Sequence, residues 1–244
     1  MVLAYHRVTP EHSSYLYSVT RDQLDAHLEV VAELQDHSGP ADSSPQVTFD
    51  DGHRSNYLYG VDLLQKRSVR ATFFVIAGWM GARDGFMSWP ELRELVSLGH
   101  AVQAHGWSHR VLPECSVPEL EDELARSKHI IEDQLSVPVD ALSIPHGRWD
   151  SRVLKACAAA GYRRVYISNP WMPDQQREGV QVVGRYMVRR SLQAPQLRRL
   201  LTGDPTFVFL RRSQYRLKEA LKRCIGEAAY RRLWSALAAA DDAT

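Results

Sequence analysis

One feature constrains this chain more than any other: short apolar runs alternate with amphipathic stretches almost from end to end. The candidate strands are Val2–His6, Gln46–Phe49, Ala71–Ala77, Ala101–Ala104, Ala141–Ile144, Arg164–Ser168 and Val180–Val188. Between them lie candidate helices at Arg21–Gln35, Asn56–Arg67, Pro90–Leu98, Pro118–Gln134, Arg152–Ala160 and Pro195–Leu201. A helix between two strands carries the chain back to the sheet edge where it started, so the strands run parallel with helices outside. Seven strands fit a distorted, closed or nearly closed β/α barrel over residues 1–205; a doubly wound open sheet is the alternative. Local signals agree. Thr20 with Gln23 forms a capping box ahead of Leu24, Leu28 and Val31, and Ser88 stands two residues before Pro90. Gly99 and Gly161 stop their helices. The loop-rich stretch is His37–Pro45.

Residues 206–244 read differently. Apolar residues recur from Leu210 at Leu217, Leu221 and Ile225, then at Tyr230, Leu233, Trp234 and Leu237, with Gly226 as a break. That pattern predicts a helical hairpin with Arg212, Arg216, Lys222, Arg223, Arg231 and Arg232 on its polar sides. Thirteen Arg or Lys stand against three acids between Arg185 and Arg232, although the whole chain carries a net charge of only +1. No global field draws the protein to nucleic acid. The local excess suits peripheral contact with an anionic membrane, while the same apolar stripe also suits packing on the barrel. Three cysteines without a CxxC pair argue against a disulfide framework. No apolar run approaches the ~20 residues that span a bilayer. No leader precedes the first strand, so a cytoplasmic protein is expected, with the basic hairpin available for membrane association.

Chemistry-bearing residues cluster at three strand ends. Val47-Thr48-Phe49-Asp50-Asp51-Gly52 leads from apolar residues into paired carboxylates. Where the chain bends through Gly52, both carboxylates can converge on one cavity, one as a metal ligand and the other as a free base; a solvated acidic turn is the plainer reading. In His105-Gly106-Trp107-Ser108-His109 two histidines stand at i and i+4, which predicts one face of a helical turn. Two imidazoles and a carboxylate make a three-ligand site with open positions, as metal catalysis requires; two unrelated loop histidines are the alternative. In Leu142-Ser143-Ile144-Pro145-His146-Gly147-Arg148-Trp149-Asp150 a strand ends in a tight turn and Asp150 caps the next helix. Backbone N–H groups in such a turn can stabilise an oxyanion, each worth roughly 10²–10³ in rate. Parallel β/α folds carry their sites at the carboxyl ends of the strands, where all three segments fall.

The order Thr-Phe-Asp-Asp-Gly, His-x-x-x-His and Pro-x-Gly resembles the polysaccharide deacetylase family, also called the NodB homology domain or carbohydrate esterase family 4. The similarity runs from Val2 to about Val188 and takes in Ala71-Thr72-Phe73-Phe74-Val75 and Gly161-Tyr162. The resemblance implies a distorted β/α barrel. It implies Asp51, His105 and His109 as ligands of a divalent metal, Zn²⁺ first with Co²⁺ or Ni²⁺ as alternatives, and Asp50 as general base. His146 stands where the family has an aromatic residue whose backbone N–H faces the oxyanion.

Three positions depart from the family pattern. Gly106 replaces a Ser or Thr. Ser143 stands where an Arg steadies the base, and Arg185, or else Arg148, is expected to supply that charge. No Leu-x-His pair appears near the C-terminus. Tyr5-His6-Arg7 instead resembles permuted relatives, whose first strand carries the general-acid histidine; His6 is the candidate. The activity implied is hydrolysis of N-acetyl groups on an amino sugar of a polysaccharide or glycan precursor. O-acetyl esters and non-catalytic carbohydrate binding are the alternatives. The partner expected is an acetylated carbohydrate. Trp79, Trp89, Trp107, Trp149 and Trp171 stand near the motifs as stacking or core residues.

Overall fold

The computed structural model describes residues 1–36 and 44–225. The chain opens with β1 (Val2–Tyr5), β2 (Arg7–Thr9), β3 (Ser18–Thr20), α1 (Arg21–Asp36), β4 (Gln46–Phe49) and α2 (Arg54–Lys66). It continues through β5 (Ala71–Val75), α3 (Trp89–Ser97), β6 (Ala101–Ala104), α4 (Val117–Leu135), β7 (Ala141–Ser143) and α5 (Ser151–Ala159). Then come β8 (Arg164–Ile167), β9 (Gln175–Arg177), β10 (Val180–Met187), α6 (Ala194–Leu201) and α7 (Pro205–Ile225).

Strands β1, β4, β5, β6, β7, β8 and β10 pair in parallel in that order, and β1 also pairs with β10. The sheet is therefore a closed barrel of seven parallel strands, and the open-sheet alternative falls. Burial on both faces explains the near-continuous apolar runs: Leu3, Ala4, Phe73 and Phe74 have no exposed surface. Every second residue faces the interior. Val2, Phe74, Ala141, Tyr166 and Val183 form one buried cluster drawn from five strands. Two residues further along their strands stand Ser143 and Arg185, so the interior turns polar toward the carboxyl ends.

Local chemistry sets the helix starts. Gln23 N–H donates to Thr20 Oγ1 at 3.1 Å, and Leu24, Leu28 and Val31 then bury one face of α1. Ser88 and Glu91 close a capping box on α3. Asp150 accepts from Val153 N–H at 2.8 Å at the start of α5. Gly99 and Gly161 end their helices at φ values of 84° and 85°. The sequence pattern does not announce the parallel pair β2–β3 or the antiparallel β9 on the edge of β10, because three-residue strands leave too short an alternation to read.

Met1–Ala194 form one compact unit and the chain from Pro195 a second. In the second unit Arg199 and Arg211 each stack on Phe207 with 5.0 Å to the ring centre. Helix α7 runs unbroken from Pro205, five residues before the expected first apolar position. It exposes Phe209, Leu210 and Leu217. The expected second arm of the hairpin, from Gly226 onward, lies outside the described residues. Among the described residues no helix is long and apolar enough to cross a membrane.

Candidate active site

Asp50 and Asp51 leave β4 where the backbone turns sharply. Asp51 and Gly52 both sit in the left-handed region, at φ 71° and 75°. Aspartate tolerates that conformation better than most residues. A Cβ on Gly52 would meet Met80 Cε at 2.9 Å, a contact the flexible methionine can relieve, so it is the positive φ that favours glycine there. The turn separates the two carboxylates. Asp50 is buried inside the barrel, and Asp51 faces its mouth with a side chain about one-fifth exposed (20%).

Asp51 Oδ1 lies 3.4 Å from His105 Nε2 and 3.5 Å from His109 Nε2. The three ligand atoms all fall within 4.8 Å of one another. His105 Nδ1–H donates to the Ser143 carbonyl at 2.8 Å, which leaves the lone pair of Nε2 turned toward Asp51. Lone pairs that close repel unless a positive charge sits among them. Burial alone would depress the His105 pKa, yet Asp50 and Asp51 pull it above its ordinary value, so the cluster attracts a cation. Burial, then His105, lowers His109 to about 4, which leaves it neutral with a free lone pair. Two imidazole nitrogens and one carboxylate oxygen in this arrangement fit a divalent first-row metal.

The expected helical turn is absent between the two histidines. Gly106 has φ 75° and His109 φ 63°, so the segment is an irregular loop. Its shape comes from elsewhere. Glu123 on α4, buried, accepts from the backbone N–H groups of Trp107 and Ser108, both at 2.9 Å, and from the Ser108 hydroxyl. From the other side Ala77 and Gly78 N–H donate to the carbonyls of Gly106 and Trp107. A Cβ on Gly78 would stand 2.7 Å from the Trp107 carbonyl oxygen. Motif reading misses Glu123. The available signal is an acid within the buried stripe Leu120, Leu124, Ser127 and Ile131 of α4.

Arg185 reaches across the barrel. Its Nη1 donates to Asp50 Oδ1 and its Nη2 to Asp50 Oδ2, both at 2.7 Å. It also donates to Thr48 Oγ1 at 3.1 Å and to Ser143 Oγ at 2.7 Å, while Ser143 Oγ donates to Asp50 Oδ2 at 3.1 Å. Both partners are buried, at 1% and 3% side-chain exposure. Burial would raise the Asp50 pKa; the Arg185 charge, then His105, hold it well below the usual carboxylate range. Arg148, the other candidate, reaches Glu114 at 2.5 Å.

His6 follows β1 and stacks on Tyr17 with 5.1 Å between ring centres. Among the described residues its buried Nδ1 has no hydrogen-bond partner. Burial lowers its pKa, and Asp50 and Asp51 pull it partly back, so it lies within electrostatic reach of both carboxylates. His146 occupies a tight turn at φ 58°. Its ring lies 4.4 Å from that of His109, and its Nε2–H donates to the His109 carbonyl at 3.2 Å. Trp79 stands 5.7 Å from His109, ring to ring. The other indoles near the motifs, Trp89, Trp107, Trp149 and Trp171, are half-buried.

A closed parallel barrel with clustered imidazoles and carboxylates where its strands end is the layout of a β/α-barrel enzyme. Within that class, residues 39–165 match the family model for polysaccharide deacetylase, and the chain belongs to that family. It is 24% identical to YxkH of Bacillus subtilis over 183 residues, which covers 69% of this chain and 64% of that one. It is 32% identical over 108 residues to PgdA of Listeria monocytogenes, a peptidoglycan-N-acetylglucosamine deacetylase, covering 44% of this chain and 22% of that one. The chain thus spans less than two thirds of either relative. The solved structure of the Streptococcus pyogenes deacetylase PplD superimposes with a TM-score of 0.71 at 21% identity, covering 80% of this chain and 94% of that one, and shares its fold.

Proposed function

We propose that the chain hydrolyses N-acetyl groups on an amino sugar of a polysaccharide or glycan precursor, with Asp51, His105 and His109 holding a divalent metal, Zn²⁺ first. The observation that carries this reading is the pairing of two carboxylates with separate environments. Asp51 faces two imidazole nitrogens within 3.5 Å, while both oxygens of Asp50 are held by Arg185. One set suits a cation, and the other a base kept ionised.

A metal bound there would supply Lewis acidity and a more acidic water. Asp50 accepts the proton of the attacking water as the new C–O bond forms. A weakly basic carboxylate holds that proton loosely, ready to pass it on. As the C–N bond breaks, the leaving nitrogen needs a proton. His6, kept neutral at rest by burial and within electrostatic reach of both carboxylates, takes up the proton that Asp50 drew from water and delivers it to the amine. The turn at His146 borders the mouth beside His109 and offers backbone donors to the developing oxyanion. The substrate named for the Listeria relative, an N-acetylated glucosamine polymer, supports an amide over an ester. Acetate release from N-acetylated glucosamine oligosaccharides, before and after chelation and Zn²⁺ restoration, tests the reading. Metal-restored release is expected; release only from acetate esters, or release untouched by chelation, overturns it.

A further inference from the structure

Arginines around the mouth of the barrel sit in an unusual state. The Arg7 guanidinium lies over the Tyr15 ring at 4.8 Å, and that of Arg83 lies over Trp79 at 4.0 Å and Phe86 at 5.4 Å. Both side chains belong to exposed residues. Among the described residues neither has a carboxylate within ion-pair distance, whereas Arg21, Arg54, Arg67 and Arg110 all do. A guanidinium stacked on an aromatic face keeps its planar edge free, and that edge donates in a fork shaped for phosphate or carboxylate oxygens. Stacking also removes rotamer freedom before a ligand arrives.

Both arginines border the site just described. Trp79, under Arg83, is 5.7 Å from the His109 ring. Phe86, also under Arg83, lies edge-on to His53 at 5.6 Å, and His53 follows Asp51 by two residues. Backbone bonds lock that side: Arg54 N–H donates to the Gly85 carbonyl and Met87 N–H to the Gly52 carbonyl, at 2.8 and 3.0 Å. On the Arg7 side, Tyr15 packs edge-on to Tyr17, and Tyr17 stacks on His6. The two acids of the site are already engaged, Asp50 by Arg185 and Asp51 by the histidines, whereas among the described residues Arg7 and Arg83 pair with no carboxylate.

We propose that Arg7 and Arg83 form an anion subsite at the rim, so that the substrate is an N-acetylated amino sugar bearing a phosphate close to the reacting residue. The inference rests on the deacetylase reading and names the substrate class for the same site. Phosphate fits better than a carboxylate because it offers three terminal oxygens and up to two charges to two separate forks. Neutral sugar surface would meet the aromatic faces of Trp79 and Tyr15 beside them.

The test uses equilibrium binding by calorimetry, which needs no turnover. N-acetylglucosamine 1-phosphate and N-acetylglucosamine are titrated into the zinc-loaded full chain, the double variant Arg7→Gln/Arg83→Gln and the double variant Arg7→Lys/Arg83→Lys. The phosphorylated sugar is expected to bind tenfold or more tightly than the neutral one. That preference should collapse in the glutamine pair, survive in part in the lysine pair and weaken with salt. Equal binding of the two sugars by the unaltered protein overturns the proposal. So does a preference that persists in the glutamine pair, since the phosphate would then sit on the Asp51, His105 and His109 cluster. Acetate release in parallel separates the two readings: phosphate preference without release would sink the hydrolase reading and leave the anion subsite standing.

Discussion

Arg185 and Asp50 meet inside the barrel through two parallel hydrogen bonds of 2.7 Å, although 135 residues separate them in sequence. The guanidinium lies over the rings of Phe74 and Tyr166, at 5.3 and 5.8 Å to their centres, where water does not reach. A charge in such surroundings stays only because its partner is there. Arg185→Met is therefore expected to cost about 3–5 kcal/mol of stability by stranding the Asp50 charge. Asp50→Asn removes the proton acceptor, keeps the metal ligands, and should cut turnover by roughly 10²–10⁴. The double variant should be more stable than Arg185→Met alone. Denaturant unfolding of the three variants checks the cycle; simple additivity would show that the pair is not coupled.

The barrel was legible because its strands are apolar on both faces and its helices carry capping residues at the right places. Asp50, Asp51, His105 and His109 were legible because they sit in short runs at strand ends, where parallel barrels gather chemistry. The geometry between the histidines was not. Spacing of i and i+4 reads as a helical turn, and only tertiary bonds from Glu123, Ala77 and Gly78 make it an irregular loop. Ser143 shows the same limit. As a residue type it looks like the loss of an arginine, yet its hydroxyl and its carbonyl serve Asp50 and His105 together. Long-range partners of that kind leave no local pattern.

The role given to His6 makes a prediction about leaving groups. An amine must be protonated as it departs, whereas a nitrophenolate leaves readily without help. His6→Ala is expected to lose roughly 10²–10⁴ in turnover of an N-acetyl sugar. Its loss on p-nitrophenyl acetate should be far smaller, and its metal content unchanged. Equal losses on both substrates would remove His6 from the proton-transfer step.

Glu123 touches none of the proposed ligands, but it fixes the loop that carries two of them. Its oxygens take two backbone N–H groups and a hydroxyl, and a glutamine can replace only part of that set. Partners that orient ligands typically change metal affinity 10–100-fold when altered. Glu123→Gln should weaken zinc by about that factor in a competition titration with a chromogenic chelator, while the folded chain persists by circular dichroism. Unchanged zinc affinity would reduce Glu123 to a purely structural group.

The exposed Phe209, Leu210 and Leu217 of α7 stand among Arg211, Arg212 and Arg216. Basic residues at an anionic surface contribute about 1 kcal/mol each, and apolar side chains add insertion. The full chain is expected to sediment with vesicles rich in anionic lipid at low salt and to stay in solution at high salt. Protein left in the supernatant at low salt would exclude membrane contact by this helix.

His27 sets a limit on stability in acid. Its ring has no exposed surface; it accepts from the Tyr5 hydroxyl at Nδ1 and donates from Nε2 to the Leu192 carbonyl, at 3.1 and 3.0 Å. Both bonds suit the neutral ring, and burial lowers its pKa to about 4 from an ordinary 6.5. In the folded protein the ring stays neutral, while in the unfolded chain it takes a proton as pH falls below 6.5. The unfolded state then binds more protons, so stability declines from about pH 6.5 downward and levels off below pH 4. From pH 7 to pH 5 this one group should cost about 2 kcal/mol. His27→Gln removes the titration, so its stability should fall by that much less over the same interval. Denaturant midpoints at the two pH values measure the difference, and parallel declines in both proteins would mean that His27 does not control it.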